Sequence, residues 1–242
     1  MKSIIADLID LQNQPVAILQ ADEPPENALQ FKEGHWGCSI AFLVAASKGK
    51  TAVFTKETAT CFGSKTGLGF QDFPHGRIEY FLSCGNEQVQ ESEFYKKSPE
   101  LARDFNDHLH RFDGKKHLVF KPLCDVTENE TPLCITFLVD ADQLSGLTGL
   151  AGYDNNSPEA VKWSFGSGCA QTVLFPMTEE LEGKSSCYIG LTDPSARKCI
   201  PNGILSFCIP YHRFLEMERE AEGSFLTKAT WKKVISRTNR KV

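Results

Sequence analysis

The sequence has no excess of basic residues. Lys and Arg together number 26 against 31 Asp and Glu, which gives a formal net charge of −5. Proteins that bind the phosphate backbone of nucleic acids carry the opposite, basic footprint. We therefore expect no nucleic acid among the partners of this protein.

Long apolar runs are missing as well. No run approaches the ~20 residues that a membrane-spanning helix needs. Residues 1–15 carry Asp7 and Asp10 inside their apolar stretch and have no small-residue cleavage site, so they do not match a signal peptide. We expect no membrane association and a cytoplasmic location.

The sequence also has no closely spaced pair of cysteines. The chain has nine cysteines, and the nearest two, Cys199 and Cys208, stand nine residues apart. Zinc ribbons, thioredoxin-type motifs and ferredoxin-type clusters use tight local pairs, so the sequence excludes these classes. In a reducing compartment the cysteines are expected to be thiols, metal ligands or small buried side chains rather than disulfides.

The patterning that is present predicts an α+β fold. Apolar runs predict strands at 15–20, 51–55, 117–123, 133–139, 162–165, 188–191 and 204–209. Periodic segments predict helices at 2–12, 36–48 and 98–112, one from Asp140 and others from Tyr211 onward. Strands and helices alternate without regular βαβ spacing, which favours a mixed or mostly antiparallel sheet with packed helices. We expect one domain over 1–242, with 211–242 as a helical C-terminal extension.

One helix should lie in the core of this fold. The segment 36–48 is apolar nearly all round, which is typical of a buried helix, and Gly49 follows as its C-terminal stop. The runs 117–123, 133–139 and 204–209 are expected to form one sheet. The helix should pack on that sheet and be among the most buried in the chain.

Several short motifs occur along the chain in a fixed order. They are PVA at 15–17, Cys38 with Ala45 and Gly49, Thr55-x-Glu57-x-x-x-Cys61 with Leu68-Gly69, FKPL at 120–123, Gly-Cys-Ala at 168–170, Cys187, and a strand ending in Ile209-Pro210. In order and spacing they resemble the archaeal and bacterial family named domain of unknown function 169. The resemblance covers about residues 1–210. It implies no activity, but it singles out Cys38, Cys61, Cys169 and Cys187.

Cys38 with His35 is the first chemical candidate. A thiol in the first turn of a helix lies near unpaired backbone N–H groups, which stabilise the thiolate. Cys169, which follows Gly-Ser-Gly, repeats this arrangement. Cys38, Cys169 and His35 are therefore the candidate catalytic residues. The alternative, that these cysteines are small buried side chains, stays open.

The segment 61–69, CFGSKTGLG, is predicted to be a glycine-rich turn. It is not a phosphate-binding P-loop, because Lys65 precedes the second glycine of the pattern. A nest of backbone N–H groups that binds an anion, with charge from Lys65 or Arg77, is the looser alternative to a plain turn.

Cys38, Cys61, Cys169 and Cys187 are expected to converge in space. Together they could hold a metal ion or an iron–sulfur cluster, and two of them could form a pair of active thiols. The leading hypothesis is therefore a cysteine-based protein that binds a metal, an iron–sulfur cluster or a small ligand. The alternatives are an enzyme with a cysteine nucleophile and a ligand or partner module whose cysteines are structural.

The segment 224–239 is predicted to be a terminal helix that docks through Phe225, Trp231 and Val234. Burial of such side chains is worth roughly 1.5–3 kcal/mol each, enough to hold a terminal helix against its ordering entropy. Truncation after Pro210 is therefore expected to lower the melting temperature in a thermal unfolding experiment. An unchanged melting temperature would show that the segment is an appendage.

Overall fold

A computed structural model describes residues 1–32, 34–35, 37–71, 76–109 and 116–238. Parts of three predicted helices lie outside the described residues. They are Trp36 at the start of the 36–48 helix, the end of the 98–112 helix, and residue 239 at the end of the 224–239 helix. Within the described ranges, none of the helices combines the length and the hydropathy of a membrane-spanning segment.

Seven strands form one sheet. They are β1 (Val16–Ala21), β2 (Ala52–Phe54), β3 (His117–Pro122), β4 (Cys134–Val139), β5 (Val161–Lys162), β6 (Cys187–Gly190) and β7 (Leu205–Pro210). Their order is β2-β3-β1-β4-β7-β6-β5. Neighbouring strands are antiparallel, except that β5 and β6 are parallel. The α+β fold and the predicted sheet of the three apolar runs are confirmed.

Helices cover both faces of this sheet. They are α1 (Ile4–Leu8), α2 (Ser39–Ser47), α3 (Phe62–Gly67), α4 (Ile78–Leu82), α5 (Pro99–Asp107), α6 (Ala141–Ala151), α7 (Phe175–Leu181), α8 (Pro194–Arg197), α9 (Tyr211–Glu220) and α10 (Ala229–Thr238). A π-helical segment, Ala170–Leu174, runs directly into α7, and short 3-10 turns cover Leu123–Asp125, Ala221–Gly223 and Phe225–Thr227.

Side chains that alternate between the two faces of the sheet divide the core into two layers. Ala17 and Phe137 lie on what we call the front face, which α1, α6, α9 and α10 cover. Ile18 and Leu138 lie on the back face, which α2, the π-helical segment, α7 and α8 cover. Because both faces are buried, β1 and β4 appear in the sequence as nearly continuous apolar runs rather than as alternating ones.

Helix α2 is as buried as predicted. Ile40, Leu43 and Ala46 are at most 1% exposed and pack in the back layer. Gly49 ends the segment with a φ of +86°, a conformation that glycine adopts without steric cost.

The predicted glycine-rich turn at 61–69 is wrong, because the segment contains helix α3. Its Ser64 and Thr66 are buried, and Leu68, which follows it, belongs to the back layer. Packing of this face against the core compensates for the low helix propensity of the two glycines in α3.

The C-terminal helix docks on the front face. Trp231 is 4% exposed, and its indole N–H donates to the carbonyl oxygen of Leu8 at 2.8 Å. Phe225 and Val234 pack against the same layer. The helix α10 begins at Ala229 rather than at Ser224, because Ser224 caps the 3-10 turn that precedes it.

Gly146 of α6 offers a test of this docking. A Cβ at Gly146 would lie 2.4 Å from the Trp231 ring, and such overpacking costs about 1–3 kcal/mol. Gly146→Ala should therefore lower the free energy of unfolding in urea relative to Gly152→Ala. A Cβ at Gly152 would meet no atom nearer than 3.7 Å, so this variant is the matched control. Equal stabilities would contradict the docking.

Candidate functional site

A largely apolar cavity of about 300 Å³ opens beside the back layer, and we call it the thiol cavity. One wall comes from the starts of α2, α3 and the π-helical segment, with Cys38, Cys61 and Cys169. The other wall comes from α4 and from α5 and the residues after it, with Phe81, Leu82, Phe105, Asn106 and Leu109.

The three cysteines lie at helix starts. Cys38 and Cys61 are extended N-cap residues that immediately precede α2 and α3, whereas Cys169 is itself helical and leads from Gly168 into the π-helical segment. The sequence predicted both Cys38 and Cys169 in a first helical turn, which is where Cys169 lies, but Cys38 is an N-cap residue. At the N-cap a sulfur still faces the N–H groups that the start of a helix leaves unpaired.

Hydrogen bonds of the backbone and of the Thr60 hydroxyl hold the starts of α2 and α3 side by side. The N–H of Gly37 donates to Thr60 Oγ1 at 2.7 Å, and the Thr60 hydroxyl donates to the carbonyl oxygen of His35 at 2.8 Å. The N–H of Cys61 donates to the carbonyl oxygen of Gly37 at 3.1 Å. Two cysteines that are 23 residues apart in the chain therefore become neighbours.

Gly37 permits this close approach. A Cβ at this position would lie 2.2 Å from the ring of Phe31. That ring stacks on Phe42 of α2, with ring centroids 4.0 Å apart, so it is held in place. A larger residue at 37 would displace the segment that carries Cys38.

The two neighbouring thiols acquire different acidities. A side-chain hydrogen bond with Cys38, together with the Ser64 and Gly63 backbone at the start of α3, lowers the pKa of Cys61 to about 6 in spite of burial. The same hydrogen bond, together with burial, raises the pKa of Cys38. The directions of the two pKa shifts make Cys61 the more acidic thiol of the pair and Cys38 its hydrogen-bond donor.

Cys169 is the third thiol, and it is more deeply buried. It is 5% exposed, and burial raises its pKa. Its sulfur lies 3.1 Å from the hydroxyl of Ser167. A protonated buried thiol is a weak nucleophile, so Cys169 contributes to the wall of the cavity more than to its chemistry.

Asp193 fixes the segment that carries Cys169. Its carboxylate accepts hydrogen bonds from the Gly168 N–H at 3.0 Å, the Ser195 N–H at 3.0 Å and the Ser195 hydroxyl at 2.7 Å. Burial, and then the charge of Asp193 and nearby Glu93, raise the pKa of Tyr95 to about 12, and Tyr95 also hydrogen bonds Asp193. One carboxylate thereby connects three segments of the cavity.

Cys187 does not join the other three cysteines. It opens β6 with its side chain in the front layer, fully buried, and burial raises its pKa to about 12. The sheet therefore separates it from the thiol cavity, and the four sulfurs do not converge. In the described part of the chain, no group of three or more His, Cys, Asp or Glu residues could hold a metal ion.

The other predicted site residues lie outside the residues that line the cavity. His35 and Arg77 are exposed, and Lys65 is half-buried on α3. Because 62–67 is helical, neither the plain turn predicted there nor its alternative, an anion-binding nest, is present. Assistance to a thiol by His35 stays a prediction.

Two polar residues of the cavity were missed by sequence reasoning. The Asp193-Pro194 pair is a helix-start signal, and Asp193 does cap α8. That signal gives no reason to expect a contact with Gly168. Asn106, in the last turn of α5, had no distinguishing sequence signal.

The pH dependence of Cys61 alkylation tests the paired thiols. The thiolate is the nucleophile, so the rate with iodoacetamide should fall below a midpoint near 6 and level off above it. Cys38→Ala removes the donor and should raise the midpoint toward the ordinary value of 9.0. Cys38→Ser keeps a donor and should hold the midpoint low. An unchanged midpoint in Cys38→Ala would contradict the assignment.

The comparisons with known proteins identify the family of the chain. Comparison with curated proteins and with solved structures gave no match. The model of the DUF169 family, described as "Uncharacterised ArCR", matches residues 4–220. That span contains all three cavity cysteines and extends past Ile209-Pro210 to the end of α9. The chain belongs to the DUF169 family.

Proposed function

We propose that this protein binds a small, largely apolar ligand in the thiol cavity, and that Cys61 is the group that reacts with an electrophilic ligand there. The observation that carries the proposal is the cavity itself, with Cys38 and Cys61 paired in its wall. The proposed nucleophile is thus Cys61, rather than Cys38 or Cys169.

The cavity supports binding of a small molecule. Its volume of about 300 Å³ is at the lower end of the range for small-molecule sites, roughly 300–1,000 Å³. Aromatic and aliphatic side chains of α4 and α5 supply most of the wall opposite the thiols. An apolar ligand would gain free energy by moving from water to this wall.

The pairing supports reactivity. A nucleophilic thiol needs a neighbour that favours its charged form, and Cys38 supplies a hydrogen-bond donor for Cys61. Burial alone would raise the pKa of a thiol, as it does for Cys169 and Cys187. The donor therefore distinguishes Cys61 from these two thiols.

Kinetics of modification by N-ethylmaleimide test both parts of the proposal. The Cys61 sulfur adds to one carbon of the maleimide double bond, and the other carbon takes a proton from water. If the reagent binds in the cavity first, the rate at Cys61 should level off as its concentration rises. Peptide mass spectrometry at pH 7 follows each cysteine separately.

Exposed Cys84 is the internal control, because both cysteines are measured in the same folded chain. Its modification rate should rise linearly with reagent concentration. An apolar competitor, toluene, should slow modification of Cys61 and leave Cys84 unchanged. Linear kinetics at Cys61 without protection by toluene would overturn the proposal.

A further inference from the structure

Asn106 has a buried amide donor that finds no partner in the described part of the chain. The residue is 4% exposed and lines the thiol cavity. Its Nδ2 has no hydrogen-bond partner among the residues that the structure describes. Buried polar groups are nearly always paired, and an unpaired one calls for an explanation such as an absent ligand.

The apolar lining near Asn106 supplies no acceptor for that donor. Phe105 and Leu109, its neighbours on α5 and after it, line the cavity, as do Phe81 and Leu82 of α4. Nδ2 itself has almost no accessible surface, so an oxygen of a ligand can satisfy it once the Asn106 side chain turns its amide N–H group toward the cavity.

We infer that the ligand of the thiol cavity is a neutral carbonyl compound with an apolar body, whose carbonyl oxygen accepts a hydrogen bond from Asn106 Nδ2. This inference rests on the function proposed above and specifies the chemical class of its ligand. It also gives the cavity two polar contacts on different walls, Asn106 on α5 and the cysteine pair before α2 and α3.

The charge of the lining favours a neutral ligand over a carboxylate. Among the described lining residues, the acids are Glu93 and Asp193 and the only Lys or Arg is Lys198. The Cys61 thiolate adds another negative charge. A carboxylate would therefore meet like charges, which oppose binding in a site of low dielectric constant.

The apolar wall favours a carbonyl over an alcohol. A hydroxyl oxygen could also accept from Asn106, but its own proton would then need an acceptor. The side chains beside Asn106 offer none, and the Asp193 carboxylate is already held by Gly168 and Ser195. A carbonyl oxygen accepts without leaving a donor unpaired.

Binding of four eight-carbon probes by the full reduced chain tests the inference by calorimetry. The probes are 2-octanone, 1-octanol, octanoate and octylammonium. We expect 2-octanone to bind about tenfold more tightly than octanoate or octylammonium, the factor that one buried hydrogen bond typically supplies. This comparison uses the wild-type protein, so it does not depend on the folding of a variant.

Asn106→Asp exchanges the amide donor for an acceptor of the same shape. In this variant 2-octanone should lose about tenfold in affinity, and octylammonium should now bind more tightly than the ketone. A merely structural role of Asn106 would weaken all four probes together. Asn86→Asp is the matched control, because Asn86 is exposed and the backbone N–H groups of Gln88 and Val89 need only its oxygen.

The outcomes separate this inference from the function on which it rests. Equal affinity of wild type for 2-octanone and octanoate would overturn the carbonyl class while leaving ligand binding intact. An unchanged order of affinities in Asn106→Asp would overturn the role of Asn106. Failure of all four probes to bind, together with linear modification of Cys61, would overturn the proposed function itself.

Discussion

The hydrogen bond from the N–H of Cys61 to the carbonyl oxygen of Gly37 is the contact on which the site depends. It aligns the starts of α2 and α3, so that two N-cap thiols interact although 23 residues separate them. Without this contact Cys38 would have no acceptor and Cys61 no donor. The absence of a side chain at Gly37, enforced by the stacked ring of Phe31, is what allows the approach.

The sheet gives the two faces different roles. The front layer is completed by the first and last helices, through contacts such as Trp231 with Leu8. The back layer carries helices whose starts gather thiols at one cavity. Because side chains alternate along a strand, the first residue of β6 could have faced either layer. Its position in the front layer leaves Cys187 as a core residue.

Burial and pairing act in opposite directions on these cysteines. Burial raises the pKa of Cys169 and Cys187, because a thiolate loses its hydration in the core. Cys61 is half-buried and also loses hydration, but a donor thiol and the start of α3 outweigh that penalty. The same reasoning applies to Asn106, whose buried amide N–H group has no partner among the described residues. The cavity thus combines one group that its neighbours stabilise with one that nothing in the described part of the chain pairs.

Local patterns in the sequence determined much of the fold. The apolar runs predicted the central strands, and the uniform apolarity of α2 predicted its burial. Both predictions work because the period and the continuity of an apolar pattern indicate how many sides of a helix or strand are covered by other parts of the protein. Capping signals placed α5 after Ser98 and α6 after Asp140, since a side-chain cap involves only neighbouring residues. The failure at α3 arose because long-range packing outweighed weak local propensity.

The site was decided by tertiary structure. The sequence singled out Cys38, Cys61, Cys169 and Cys187, because each stands near a glycine turn or a helix start and matches the family pattern, and the fold brings only the first three of these four to the cavity. Which of them would be a thiolate depended on contacts between distant segments. Nothing within a few residues of Asn106 or Asp193 indicates a cavity, since the groups opposite them come from other parts of the chain. Local sequence sets the backbone conformation, but the pairing and burial that determine acidity and hydrogen bonding are properties of the folded chain.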